Sequence, residues 1–521
     1  MKKVISNIFR LYSDFNQQSL FLQICLMSIL GVVASLALPP AFMLLAAAAF
    51  IPFLITAAKA KTVWQSAIIF WSFAFGWFTA SLYWISASLF VDISWEILIL
   101  PFSLFALPAF LSLFWGCAGI LVFLSGRTVV SRLFFCALWI GVAEIFRSIL
   151  LTGFPWNAPA HLILANEYLS QIASVIGQNG ASFLVLLTLV AFCFLYLRFW
   201  KTGLIILLPF MISFGFGVWR LDHSVPMSHL DTKKTSEMLI RIVQPNVQQS
   251  QRWKAEFKDM QIEDLFALSM SKAAPVSLII WPEAAYPAIW PNVEKQFLQS
   301  AQSVISDDEQ LLTGMLRFGQ EKKLYNSALL FSDNGSLIAK SDKQKRVPFG
   351  EYIPFRNNFL FQKLKIFGNA IDISAGPKKG LIYTRDNIAL RVFICYEIIF
   401  PNLLSSHERP DVIINLTNDA WFGNTFGPYQ HLSQSRIRAI EEGLPLVRVA
   451  NTGISAAFNY KGEMLGKIGL LEKGVLDVAL PLHQQITIYS QFRWIIIIFI
   501  VFLISTTAVL LDLIFIKRQK P

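Results

Sequence analysis

Arg391-Val-Phe-Ile-Cys-Tyr-Glu397 is the stretch on which the reading of this chain turns. The β-branched and aromatic run from Leu390 to Ile394 predicts a short buried strand, and the polar break after it puts Cys395 at the strand's end. The chain has five cysteines, and Cys25, Cys117, Cys136 and Cys193 all lie in long apolar runs. Cys395 therefore has no disulfide partner in the polar part of the chain. A lone thiol at a strand end suits a nucleophile if a helix N-terminus or a neighbouring cation lowers its pKa from about 8.5. The alternative is a buried, inert core cysteine.

Outward from that strand, composition divides the chain. With 521 residues, 55% hydrophobic and 15% charged, it is too apolar for a purely soluble enzyme and long enough for two or three domains. Apolar runs of bilayer-crossing length, about 20 residues, occur near 19–38, 40–57, 66–90, 97–125, 133–152, 168–197, 202–220 and 493–516. Eight spans are thus expected, seven in a block and one at the C-terminus. Lys2, Lys3 and Arg10 precede the first run, Lys59 and Lys61 follow the second, and Arg127 and Arg132 follow the fourth. Arg198 and Lys201 follow the sixth, and Lys517, Arg518 and Lys520 the eighth, whereas the alternate loops carry almost no Lys or Arg. This alternation predicts cytoplasmic termini and a domain on the far side of the membrane. The expected division is 1–222 membrane domain, 223–490 extramembrane domain, 491–521 last span and tail. Six further runs follow the first without a small-residue cleavage pattern, so the first reads as a span and not a signal peptide. Much of the formal charge of +11 lies in the cytoplasmic loops, so it calls for no nucleic-acid partner.

From about residue 236 the texture changes to short strands alternating with amphipathic helices. Strands are predicted at 238–243, 276–281, 310–316, 325–331, 388–394, 412–416, 446–450 and 456–460, and helices at 254–272, 293–305 and 428–442. Several strands are continuously apolar, as in a sheet buried between layers, so a layered α/β domain is expected. The insertion 355–380 carries Phe355, Phe359, Leu360, Phe361, Ile366 and Phe367, with Lys363 and Lys365. Two readings fit it: a lid that touches the bilayer, with Gly376 and Gly380 as hinges, or aromatics packed on the domain itself.

Three polar signatures follow apolar strands or enter turns: Trp281-Pro-Glu283-Ala-Ala-Tyr-Pro287, Lys343-Gln-Lys-Arg-Val-Pro-Phe-Gly-Glu351 and Cys395-Tyr-Glu397. Brought to one sheet edge they would support acyl transfer, with a thiol attacking a carbonyl, a carboxylate moving the proton and an ammonium stabilising the oxyanion. Singly each is weak, because Lys343 lies beside Lys345 and Arg346 in what is otherwise a solvated basic face.

In this order and spacing the three resemble the nitrilase superfamily, whose Glu–Lys–Cys triad sits on an α-β-β-α sandwich. The polytopic block before the domain and the single span after it resemble more closely the apolipoprotein N-acyltransferase family. Further matching stretches are Val243-Gln-Pro-Asn246 with Trp253, Asn418-Asp-Ala-Trp-Phe-Gly423, Gly427-Pro428, Gln430-His431, Arg438-Ala-Ile-Glu441, Arg448-Val-Ala-Asn-Thr-Gly453 and Thr152-Gly-Phe-Pro-Trp156. Pro245 and the pair Lys345-Arg346 depart from the family's pattern. The resemblance implies a bundle of eight spans carrying a nitrilase-like sandwich in a bacterial inner membrane. It implies Glu283 as general base, Lys343 as the oxyanion-stabilising cation and Cys395 as nucleophile. Glu351 would orient Lys343 or the reacting amine, and Tyr396, Glu397, Trp253 and Trp156 would support the site or bind substrate. His431 reads as a packing or supporting residue.

The implied reaction is ping-pong. A phospholipid acylates Cys395, which passes the chain to the α-amine of a diacylglyceryl-cysteine at an apolipoprotein's N-terminus, with no metal or organic cofactor. One alternative is a membrane-tethered nitrilase-type amidase using the same triad with water, against which eight spans argue. Another is a transporter, suggested by Glu144, Arg147 and Gln178-Asn179 at membrane depth. Glu144 and Arg147, one helical turn apart, can however neutralise each other, and no broken-helix pair of the transporter kind is expected.

Overall fold

The computed structural model describes residues 19–91, 100–223, 237–271, 275–302, 305–354, 372–377, 380–402, 404 and 408–519. Most of the 355–380 insertion, with its phenylalanines, Ile366, Lys363 and Lys365, lies outside the described residues, as do 224–236 at the expected domain junction.

Eight apolar helices stand where the eight runs were read. Six are long enough to cross a membrane: Val63–Phe90, Leu100–Ser125, Val129–Ile149, Ala173–Tyr196, Trp200–Asp222 and Ile488–Lys517. The other two, Leu20–Ser35 and Leu44–Ala58, are shorter than a full crossing. Gly31 lies against the backbone of Phe73, and Gly76 against that of Ser28, so helices Leu20–Ser35 and Val63–Leu82 cross at two glycines where a side chain would separate them.

Two helices are not continuous. Helix Ala173–Tyr196 breaks at Gly177 (φ 64°) and Ile488–Gln519 at Arg493 (φ 28°). Both breaks are stitched by adjacent residues at the end of helix Gly427–Glu442 in the other domain. The Glu441 carboxylate accepts the Gln178 N–H that the first break frees, and Glu442 takes two bonds from the Arg493 guanidinium at 2.9 Å each. Gln178, expected from the sequence at membrane depth, instead joins the two domains.

The extramembrane domain packs two sheets face to face. The first is built of β1 (Glu237–Gln244), β2 (Leu278–Ile280), β3 (Ile289–Trp290), β4 (Gln310–Phe318), β5 (Leu324–Phe331), β6 (Leu337–Asp342) and, from the chain's far end, β13 (Gly474–Pro481). Its order is β13-β1-β2-β4-β5-β6, with β3 beside β4. The second holds β7 (Ile382–Tyr383), β8 (Ala389–Ile394), β9 (Val412–Thr417), β10 (Leu446–Ala450), β11 (Ser455–Phe458) and β12 (Met464–Ile468), in order β12-β11-β10-β9-β8-β7.

Alternation along β1 and β2 assigns the faces. Ile240, Ile242, Leu278 and Ile280 pack in the cluster that holds Val392, Ile414 and Val447 of the second sheet. Val243 and Ile279 pack with Leu265, Phe266 and Phe297 of helices Lys258–Ser269 and Glu294–Gln302. Helix Gly427–Glu442 buries Ile437 and Ile440 in the cluster of the second sheet. This is the expected α-β-β-α order. The strands the sequence left out are edges or fragments: β6 and β12 are largely exposed or only partly buried and so lack a continuous apolar run.

Candidate active site

β2, β6 and β8 each end just before a chemically capable side chain: Glu283, Lys343 and Cys395. Pairing of Ser327 with Asp342 sets Lys343 opposite Asn326, whose carbonyl accepts the Lys343 N–H at 2.8 Å. Lys343, 1% exposed, places Nζ 2.8 Å from Glu351 Oε1 and 3.4 Å from Glu283 Oε1. Asn326 Nδ2 donates to Glu283 Oε1 at 2.7 Å, and Val347 N–H to Glu351 Oε2 at 2.8 Å. Burial disfavours the Lys343 charge, but the carboxylates of Glu351 and Glu283 outweigh it and hold the ammonium above its ordinary range.

Cys395 opens the single-turn helix Cys395–Ile399 at φ 53°, a left-handed conformation that a non-glycine residue keeps only when its surroundings hold it. Here they do. The Glu397 carboxylate accepts Ile394 N–H at 2.8 Å, just before the cysteine. Asn415 Nδ2 donates to the carbonyl oxygens of Phe393 (3.2 Å) and Cys395 (3.4 Å), and His431 Nε2 lies 3.3 Å from Cys395 O. Behind them His431 Nδ1 is 2.9 Å from Asp419 Oδ1, Arg448 pairs with Asp419, and Arg448 Nη1 donates to Asn415 Oδ1 at 2.6 Å. Burial alone would raise Asp419, but Arg448 and His431 hold its carboxyl down at about 2. His431 is therefore a supporting residue, as read.

The same Glu397 carboxylate reaches across to the first sheet, accepting the N–H groups of Gln344 (2.8 Å) and Lys345 (2.9 Å) directly after Lys343. One buried side chain thus ties the backbone of the thiol to that of the ammonium. The thiol itself departs from expectation. Burial pushes Cys395 up to about 12; Glu283 adds to the rise, while Lys343 and the Thr417 hydroxyl oppose it. The cation expected to acidify the thiol is neutralised by two carboxylates.

A cavity of about 810 Å³ joins these groups. Glu283, Lys343, Glu351, Cys395, Tyr396, Trp253 and Trp156 all line it, whereas Glu397 works from behind. Leu107, Phe110 and Leu111 of the Leu100–Ser125 helix line it as well, so it is shared by the polar cluster and the membrane half. Trp84 and Trp156, ring centroids 4.7 Å apart, form another wall and donate their indole N–H groups to Gln430 Oε1 at 3.0 and 2.9 Å.

A chain of these parts has relatives. It is 36% identical over 437 residues to the apolipoprotein N-acyltransferase of Rhizobium rhizogenes, covering 80% of each chain. It is 34% identical over 501 residues to that of Rickettsia bellii, covering 93% of this chain and 97% of the relative. The chain belongs to the apolipoprotein N-acyltransferase family. Residues 30–193 match the apolipoprotein N-acyltransferase N-terminal domain, and residues 239–487 the carbon-nitrogen hydrolase family. Among solved structures, Nit3 of Saccharomyces cerevisiae, a nitrilase-superfamily member, is similar at 16% identity, with a TM-score of 0.37 over 51% of this chain and 97% of that one. The relatives and the match to the N-terminal domain favour the N-acyltransferase reading over a tethered amidase, and with the apolar helices they describe a bacterial membrane enzyme.

Sequence reasoning missed Asn326, Asn415, Asp419 and Gln430 as parts of the site's support. The signal for the first two was present: each is a lone amide in a largely apolar buried strand, where a polar group persists only when it is hydrogen-bonded.

Proposed function

We propose that this enzyme transfers a fatty acyl chain from a membrane phospholipid, through a thioester on Cys395, to the N-terminal amine of a diacylglyceryl-cysteine on a lipoprotein. The observation that carries this reading is the cavity, which is lined both by Cys395, Lys343 and Glu283 and by apolar side chains of a membrane helix. Moving an acyl chain through water costs about 0.8 kcal/mol per CH₂. A site continuous with the membrane half avoids that cost, whereas a hydrolase of soluble amides gains nothing from it.

The groups divide the labour by charge. A thiol pushed up to about 12 is protonated at rest, so attack requires a base. Lys343 cannot serve, because its two carboxylates keep it charged; Glu283 can. Glu283 Oε1 is engaged by Asn326 and Lys343, which leaves Oε2 to receive the proton. As Sγ bonds to the ester carbon, its proton passes to Glu283 and the oxyanion forms beside the Lys343 ammonium. Collapse expels the lysophospholipid alkoxide, which takes the proton from Glu283. The acceptor amine then attacks the thioester, gives its proton to Glu283, and the departing thiolate recovers it.

For orientation, the alternating loop charges favour cytoplasmic termini and a periplasmic catalytic domain. The two short helices do not alter this. Whether Leu20–Ser35 and Leu44–Ala58 each cross or return as a pair, the number of crossings before residue 223 stays odd. A reporter fused after residue 225 is expected to read as periplasmic, and a cytoplasmic reading refutes the orientation.

The test of the chemistry is mass spectrometry of purified protein incubated with phospholipid. A hydroxylamine-labile acyl adduct on the Cys395 peptide, absent with lysophospholipid release in Cys395→Ala, is expected. Turnover by Cys395→Ala overturns the mechanism.

A further inference from the structure

Two charged residues in the membrane half take no part in the chemistry above. Glu144 and Arg147, near the end of helix Val129–Ile149, are 4% and 1% exposed. Charges at membrane depth commonly mark a transport path. These are directed instead at protein groups. The Arg147 guanidinium forks onto Glu144, with Nε 3.1 Å from Oε1 and Nη2 on Oε2, and lies 4.9 Å from the centroid of the Phe78 ring. Glu144 Oε1 also accepts the Trp115 indole N–H at 2.8 Å, so three helices meet on the pair.

The remaining Arg147 nitrogen, Nη1, donates to the carbonyl of Phe154, whose N–H returns to Arg147 O at 2.8 Å. This closes the loop that follows the helix. Leu151 (φ 50°), Thr152 (φ 80°) and Gly153 (φ 78°) are consecutive left-handed residues, two of them with side chains that disfavour it. Such a loop keeps its shape only if its ends are fixed, and Arg147 is the side chain that fixes one. A side chain at position 153 would meet the Ser148 carbonyl and the Phe400 ring.

The loop's other side faces the reaction. Leu151, Thr152, Gly153 and Phe154 line the cavity. Gly153 O accepts the Tyr396 hydroxyl at 2.7 Å, and the Phe154 and Tyr396 rings stack at 6.2 Å. Tyr396 is bonded directly to Cys395. A continuous set of contacts therefore runs from Trp115 and Glu144 through Arg147 and the 151–154 loop to the residue after the thiol.

We propose that Arg147, anchored by Glu144, is a positioning residue for acyl transfer. From inside the membrane half it sets the 151–154 loop, and through Gly153 O it fixes Tyr396 and the backbone that presents Cys395. The inference rests on the reading of Cys395 as nucleophile.

The test is a double-mutant cycle on the full-length enzyme in detergent, following lysophospholipid release from phosphatidylethanolamine. Arg147→Lys keeps a cation for Glu144 but loses the fork to Phe154 O, and Tyr396→Phe removes the bond to Gly153. Each is expected to lower kcat by about ten- to a hundredfold, the scale of a small misplacement of reacting groups. Because both act through the one 151–154 loop, the double variant should be no slower than the slower single. Losses that multiply overturn the assignment.

Glu144→Gln/Arg147→Met removes the buried charges together and carries the comparison if Arg147→Lys melts early. It should lose kcat to the same extent and be insensitive to added Tyr396→Phe. Wild-type kcat in that variant also overturns the assignment. Activity of Cys395→Ala, by contrast, strikes the nucleophile reading, so the two failures are distinguishable.

Discussion

Glu397 offers the sharpest prediction, because one carboxylate of 2% exposure accepts three backbone N–H groups across two sheets: Ile394, Gln344 and Lys345, at 2.8, 2.8 and 2.9 Å. In Glu397→Gln the amide oxygen can keep Gln344 and Lys345 but turns its NH₂ toward Ile394. The lost charge-assisted bond is worth roughly 1.5–3 kcal/mol, and the two that become neutral lose about half their strength. Relief of the buried charge's desolvation offsets part of this, leaving a net destabilisation of about 2–3 kcal/mol. For a domain of this size that is a fall of about 5–10 °C in melting temperature, readable by intrinsic fluorescence. Because Ile394 precedes the thiol and Gln344 follows the ammonium, kcat should fall about a hundredfold even where the protein is fully folded.

Glu397→Asp separates reach from charge. It keeps the carboxylate but withdraws it by one C–C bond, about 1.5 Å, so it can hold Ile394 or the Gln344–Lys345 pair but not both. Glu397→Asp is therefore expected to lose kcat as Glu397→Gln does. An active Glu397→Asp beside an inactive Glu397→Gln would mean that the charge, and not the span between the two sheets, matters, and would overturn the bridging role of Glu397.

Two further outcomes follow from the same geometry. A Cβ at Gly314 would lie 2.5 Å from Pro282 O and 2.6 Å from Glu283 Cα, so Gly314→Ala must displace the turn that carries Glu283, the proposed base; kcat/KM should fall about a hundredfold in steady-state assays, and a wild-type value would show that turn to be unimportant. With Cys395 pushed up to about 12, the thiolate fraction grows with pH throughout the accessible range. Iodoacetamide labelling of its peptide, after hydroxylamine treatment, should rise about tenfold per pH unit between roughly pH 7 and 9.5, and a plateau below pH 8 would contradict this.

What the sequence disclosed tracks how local each signal is. Strands β8, β9 and β10 are buried on both faces, so their apolar runs announce them; β6 and β12 are largely exposed edge strands and do not. Glu283, Lys343 and Cys395 stand beside recognisable strand ends, and they line one cavity as expected. The breaks at Gly177 and Arg493 were not legible, because each is stabilised by a carboxylate far away in the chain. The same holds for the thiol: a lysine suggests an acidic cysteine until its two carboxylate partners are known. The Glu144–Arg147 pairing was legible, since a three-residue spacing on a helix brings the groups together, but its grip on the 151–154 loop was not.

The high thiol pKa and the doubly paired lysine belong to one electrostatic design. At rest the cluster holds two carboxylates, one ammonium and a neutral thiol, hence one net negative charge. Ionising Cys395 in advance would add a second negative charge to a buried site, which burial and Glu283 both resist. In the proposed mechanism Sγ attacks as Glu283 takes the proton, so the negative charge passes from that carboxylate to the oxyanion. Lys343 stands beside Glu283 at 3.4 Å before the step, and in the proposed mechanism beside the oxyanion after it. The net charge of the cluster is the same in the ground state, the tetrahedral intermediate and the thioester. A site that moves charge without changing its total needs little solvent to reorganise, which is what a cavity walled by membrane helix requires. Glu351, held by Val347 N–H, keeps Lys343 in place while its other partner gains and loses a proton.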